Sequence, residues 1–215
     1  MSSKQDDLPW PVGSTAYGTT PQGVAALAAD VAASNPLRGS DSIGNVYVKQ
    51  DEGTADDGFQ PLRSECQRKL MAVRNVSGFA VVPKRLVKLE VSGVLAMKNI
   101  SGYARLTDDQ YVYPVDEKLP AAGCPDDDSC YIVIEGPALC YMPLSQVGDI
   151  TDGQPMTALT AAATNDTTSG RIAGLDTANT DAALAKAINF IGWAMSAVSS
   201  SSTGGEILVN IRRHH

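Results

Sequence analysis

The sequence predicts a mainly β protein: a β-barrel or β-sandwich body over residues 46–215, an extended N-terminal arm over residues 1–45, and at most one or two short helices. Three observations carry that prediction. Nineteen glycines and twelve prolines recur along the 215 residues, and breakers at that frequency favour many short elements. Short β-branched or alternating runs are separated by turn signals about every 8–12 residues, the texture of a barrel or sandwich. Hydrophobic residues make up 43% and charged residues 19%, enough apolar material for a packed core.

In the arm, Leu8-Pro9-Trp10-Pro11 is extended because each proline restricts the residue before it. Tyr17–Gly23 is turn-rich, and the Ala-heavy Val24–Ala33 predicts a short helix stopped near Ser34-Asn35-Pro36. Trp10 and Tyr17 are large apolar groups in a segment with little core of its own. They are candidate anchors onto a neighbouring subunit; tucking back onto their own domain is the alternative.

The body opens with a strand at Val46–Val48 and an acidic loop at Asp51–Gly58. Lys69–Val76 alternates closely enough for a half-buried strand. Val81–Val82 and Leu86–Leu95 continue the β-branched pattern, interrupted by Pro83 and Gly93, and Tyr111–Val115, Tyr131–Glu135, Ala138–Met142 and Ile207–Ile211 complete the set. Leu159–Arg171, rich in Ala, Thr, Asn and Ser, reads as a weakly ordered connection or soft edge strand. Thr177–Ala187 has helical composition with Asp181 as a cap. Ile188–Val198 either extends that helix or forms a strand with Gly192 at a close backbone approach; the strand is favoured, hairpinned with the closing one.

One phrase occurs twice. Arg74-Asn75-Val76-Ser77-Gly78-Phe79-Ala80 returns 24 residues later as Lys98-Asn99-Ile100-Ser101-Gly102-Tyr103-Ala104. Asn and Ser followed by Gly favour a turn, so both copies read as similar strand–turn–strand corners. Two copies do not make a repeat fold.

The net charge of −7 argues against nucleic acid as the main partner. Its distribution is uneven: net −5 over residues 1–60, +7 over 61–105 and −9 over the remainder. A basic middle, headed by Arg63, Arg68 and Lys69, is a candidate contact for an acidic partner surface or for pairing within an oligomer; a solvated sheet face is the plain alternative. Met1–Asp7 is polar and acidic, unlike a signal peptide, and no apolar run reaches the roughly 20 residues of a membrane span. The expectation is a chain made in a cytosol, without a membrane partner. The Asn-x-Ser/Thr matches at Asn75, Asn99 and Asn165 then read as chance or turn chemistry rather than glycosylation.

No catalytic constellation emerges. The histidines are His214 and His215 alone, so an internal Ser-His or Cys-His nucleophile system is not expected. No P-loop, Gly-x-Gly-x-x-Gly or His-Glu-x-x-His occurs, and no cofactor is implied. The acidic groups Asp108-Asp109, Asp116-Glu117 and Asp126–Asp128 read as solvated loops, with a calcium site or a carboxylate pair for glycan hydrolysis as the minority reading. The cysteines are Cys66, Cys124, Cys130 and Cys140. The spacing of Cys124 and Cys130 fits no common zinc pattern; they are either packed or surface thiols, or a disulfide closed after cell lysis.

The second half carries a resemblance. Ile134–Cys140 with its Glu-Gly-Pro, Val147-Gly148-Asp149, Gly170-Arg171-Ile172-Ala173-Gly174, Ile191-Gly192-Trp193-Ala194-Met195 and Gly204-Gly205-Glu206-Ile207-Leu208-Val209-Asn210-Ile211 follow one another in the order found in the small head-decoration, or cement, proteins of tailed phages. The chain resembles that family over roughly residues 70–213, through short glycine-based motifs whose order carries the weight; the Arg74–Ala80 corner also resembles a phrase of phage structural proteins. It departs from the compact members in the arm before residue 45 and in the Thr177–Ala187 insertion. The resemblance implies a non-enzymatic β body, a homotrimer, and binding to the major capsid protein on the exterior of the virion. Another virion part, such as a head–tail connector, tail component or host-attachment module, is the second reading. A carbohydrate- or metal-dependent binding module or hydrolase is the third.

Overall fold

The structure is a computed structural model that describes residues 43–52, 62–93, 96–104, 111–142, 149–158, 170–174, 190–198 and 205–212. The N-terminal arm up to residue 42 and the expected helix at Thr177–Ala187 lie outside the described residues. Among the described residues the fold is mainly β and holds ten strands: β1 Val46–Glu52, β2 Leu62–Asn75, β3 Leu86–Leu89, β4 Asn99–Tyr103, β5 Val112–Pro114, β6 Ser129–Tyr141, β7 Pro155–Ala158, β8 Ile172–Gly174, β9 Phe190–Ala194 and β10 Glu206–Ile211.

Hydrogen-bonded neighbours run β5-β3-β4-β2-β6-β10-β9-β7-β8, with β1 beside β2. The path is open and remains compatible with a barrel or a sandwich. At one end it curls back: Val115 bridges to Ile132 of β6, and the Asp116 amide donates to the Tyr131 carbonyl at 2.9 Å. The expected hairpin is present, with Val209 opposite Ala194 and Ile211 opposite Gly192.

Two long strands organise the body. β6 pairs with β2 through Ser129–Glu135 and with β10 through Gly136–Tyr141. Tyr131–Glu135 and Ala138–Met142, expected as separate strands, are therefore one strand that changes partner at Gly136-Pro137. The reason is steric. Gly136 has φ +91°, and a Cβ there would overlap the Gln67 carbonyl and approach the Arg68 Cα at 3.0 Å. Glycine lets β6 pass β2 at van der Waals distance while it bends away.

The duplicated phrase diverges in structure. Its two copies lie side by side in the parallel β2–β4 ladder, where Arg74 faces Asn99 and Asn75 faces Ile100. The first copy leaves β2 through a bend at Ser77–Phe79 with Gly78 at φ +82°. The second runs through β4 as strand, so the expected second corner does not form. The difference is in the asparagine. Asn75 is fully buried, and its amide donates to the carbonyls of Phe79 (2.7 Å), Cys124 (2.9 Å) and Pro125 (3.0 Å) while its Oδ1 accepts from the Ser77 amide (3.1 Å). Such side-chain bonds replace ladder bonds and turn the chain. Asn99 instead donates to Glu90 across the β3–β4 hairpin at 3.0 Å.

One hydrophobic cluster joins both halves of the path, from Leu70, Val73, Leu86 and Ile100 through Tyr131 and Ile132 to Met156, Ile172, Ile207 and Ile211. Burial of this continuous apolar set is the main favourable term in folding.

Candidate interaction surface

The basic stretch headed by Arg63, Arg68 and Lys69 divides as strand geometry requires. Successive side chains of β2 point to opposite faces. Arg63 lies near the start of β2. Arg68 turns inward, where its guanidinium meets Asp116 at 3.0 Å and Glu117 at 3.3 Å, with the three side chains 3%, 6% and 5% exposed. Its charge is compensated inside the chain rather than presented at the surface. Lys69 points outward and pairs with Glu135 of β6 at 2.5 Å, both side chains about half exposed. Trp10 and Tyr17 lie outside the described residues.

Arg74 pairs with Asp127 at 3.0 Å and Lys84 with Glu206 at 2.6 Å. Arg85, 9% exposed, lies between the rings of Tyr103 and Tyr141, with centroids 5.7 and 5.8 Å away. Four cations of the basic stretch are thus matched by acids from the C-terminal half of the same chain. Neutralisation within the chain accounts for much of the charge block that the sequence left open to partners.

A groove of about 940 Å³ opens beside the Lys69–Glu135 pair. Its walls include Gln67 and Met71 of β2, Met97 before β4, Ile134 of β6 and Arg212 after β10. Cys66, exposed on β2, also lines it. No sequence signal marks Met71 or Met97, and the Lys69–Glu135 contact needs the β2–β6 register, which sequence alone does not supply. Other exposed apolar groups among the described residues are Val46 and Val48 on β1, Val76, Val91, and Trp193 on β9, the last stacked edge-on against Phe190 at 4.9 Å.

The acidic loop is internally engaged. Asp126 accepts the Gly78 amide at 2.8 Å, Asp127 pairs with Arg74, and Asp128 accepts the Ser129 amide at 2.7 Å. Among the described residues no group of three or more His, Cys, Asp or Glu side chains is placed to hold a metal ion. Both histidines lie outside the described residues.

The shifted ionisations are those of buried neutral groups. Interaction with Cys130, which favours the protonated form of Cys124, followed by burial, pushes the Cys124 thiol well above its usual range. Burial raises the Tyr131 phenol, helped by Tyr47 and Asp116, and raises Tyr103 against the opposing Val82 hydrogen bond and Arg85 charge. None is shifted towards reactivity near neutral pH.

No family model matches the chain, and no curated protein matches it. Among solved structures, the N-terminal base of the head fiber gp8.5 of bacteriophage phi29 is similar, with a TM-score of 0.36 and 14% identity over 67% of this chain and 98% of that one. A likeness that distant does not establish a shared fold.

Proposed function

We propose that the chain is a non-catalytic structural protein of a tailed-phage particle, and within that class a decoration protein that binds the capsid exterior and stabilises the shell. The observation that carries this reading is the ordered glycine pattern of the second half, together with its position in the fold. Gly136, Gly170 and Gly192 are sites of close backbone approach: a Cβ would overlap the Gln67 carbonyl at the first, meet the Leu86 carbonyl at 2.6 Å at the second, and overlap the Asn210 carbonyl at the third. The motifs therefore encode the crossings of a β scaffold, which supports a structural over a catalytic role.

The body would form a homotrimer on the capsid surface, with the arm before residue 43 laid over a neighbouring subunit or over the major capsid protein, since Gly44 and Asn45 already bond to Ala72 of β2. Trp10 and Tyr17 would anchor the arm, and Arg63 and Lys69 would contribute polar contacts, with buried Arg68 supporting the face. Trimeric presentation multiplies weak contacts through effective concentration, and an arm that orders on binding covers a large surface with few residues.

The test is light scattering of the purified chain followed by mixing with undecorated capsids. A trimer that co-sediments in hundreds of copies per particle and protects against heat is the expected result, and deletion of residues 1–40 should weaken it. Absence of co-sedimentation would sink the reading, and about a dozen copies per particle would move the protein to the connector.

A further inference from the structure

Cys124 and Cys130 end a seven-residue segment that carries the acidic loop, and both side chains enter the same core. Each residue is 0% exposed, each thiol is free, and Cys130 is the main group that raises the Cys124 ionisation, while the Cys124 Sγ lies 3.6 Å from the Pro125 carbonyl. The approach is held from both ends. Cys124 exchanges backbone hydrogen bonds with Val81 at 2.7 and 2.9 Å, and Cys130 faces Val73 in the β2–β6 ladder. Asn75 ties the segment to the end of β2: its side chain holds the Cys124 and Pro125 carbonyls, its amide donates to Asp128 at 2.7 Å, and its carbonyl accepts from Asp127 at 2.7 Å.

We infer that Cys124 and Cys130 are a latent disulfide site, an intrachain clasp that closes the loop when the protein meets a small-molecule disulfide such as oxidised glutathione. In the first step the thiolate of one cysteine attacks a glutathione sulfur, forms a mixed disulfide and releases one glutathione thiolate. The other cysteine then attacks the protein sulfur of that mixed disulfide, forms the Cys124–Cys130 bond and expels the second glutathione. Two protein thiols become one disulfide while one glutathione disulfide becomes two thiols, so atoms, protons and electrons balance.

The closed fold holds this reaction back. Full burial bars glutathione, and the raised Cys124 ionisation keeps its reactive thiolate scarce. Exchange therefore proceeds through opening of the exposed turn at Pro125–Asp127, on the local-unfolding timescale rather than on that of a surface thiol. A reducing cytosol leaves the pair as thiols; release into an oxidising medium closes it. The inference goes beyond the virion reading, and its test uses the isolated full-length chain without capsids.

The Cys66→Ser chain, freed of its exposed thiol, is incubated with oxidised glutathione over a series of urea concentrations below the unfolding midpoint. It is then alkylated and mapped by peptide mass spectrometry. The expected product links Cys124 to Cys130, forms faster as urea rises, and leaves Cys140 alkylated. The bridged chain should melt roughly 5 °C higher than the reduced one, as expected for closing a short loop in a chain of this size, with reversal by a dithiol reductant. Full alkylation of Cys124 and Cys130 at every urea concentration overturns the inference. So does equal linkage of either cysteine to Cys140, or a bridged chain that melts no higher than the reduced one.

Discussion

The Arg68 guanidinium meets the Asp116 carboxylate at 3.0 Å in the interior, 48 residues away in sequence. Glu117 joins the same guanidinium, and its other oxygen accepts the Leu139 amide at 3.1 Å. A single cation thereby ties β2 to the turn after β5 and, through Glu117, to β6 just past its bend. Removing it strands two carboxylates in a dry site, and such a loss costs more than the intact pair contributes.

Arg68→Ala should therefore lower stability by about 3–5 kcal/mol in urea unfolding. The neighbouring Lys69→Ala breaks a half-exposed pair with Glu135 and should cost less than about 1 kcal/mol. Equal losses at the two positions would contradict the inside–outside division of β2.

Asn75→Ala should cost about 3 kcal/mol, because one buried side chain gives up its bonds to three carbonyls and to the Ser77 amide at once. Hydrogen exchange should speed up at residues 77–79 and 124–128 together. Asn99→Ala, which removes one side-chain bond to Glu90, should cost about 1 kcal/mol despite the matching local sequence.

Gly136→Ala should prevent stable folding or cost more than about 3 kcal/mol, since the added methyl meets main chain that cannot move aside. Gly78→Ala provides the comparison: its φ is also positive, at +82°, but nothing lies within 4 Å of the added Cβ. A loss of about 1–2 kcal/mol is expected there from conformation alone. Thermal melts of the two variants separate collision from backbone preference.

Alkaline pH should destabilise the fold. Tyr131, Tyr103 and Cys124 all have folded ionisations raised above their unfolded values. The folded state therefore keeps protons that the unfolded chain releases. Their contribution is complete below the unfolded values, near pH 8.5 for cysteine and about 10 for tyrosine, and is lost as pH rises beyond them. Each fully shifted group lowers stability by about 1.4 kcal/mol per pH unit in that window. Melting temperature against pH, followed with tyrosinate absorbance, should show tyrosine ionisation and unfolding rising together.

Much of the β texture is legible in the sequence because period-two alternation and turn residues act locally. The Val46, Lys69, Tyr111 and Ile207 runs and the Phe190–Ala194 strand follow from that signal. Leu86–Leu95 ends early at Leu89, and β7 and β8 escape notice because Pro155-Met156-Thr157-Ala158 and Ile172-Ala173-Gly174 hold one β-branched residue each. Gly136-Pro137 reads locally as a break, yet the strand runs through it because β10 takes over where β2 leaves. The two copies of the duplicated phrase differ through distant partners: Cys124 and Pro125 for Asn75, Glu90 for Asn99. The basic stretch looked available for a partner because its acidic counterparts come from elements placed beside it only by folding. For the contact surface, the sequence separated Lys69 from Arg68 by nothing but parity along a strand.

The double pairing of β6 also sets a timetable. Its segment 136–141 is synthesised roughly 65 residues before β10, so at about 5–20 residues per second it waits roughly 3–13 s for its ladder partner. During that interval an open strand edge is available to the first β10 that arrives, from the same nascent chain or from another. Crowded ribosomes on one message would favour exchange of β10 between chains, and slow expression at low temperature would favour each chain closing on itself.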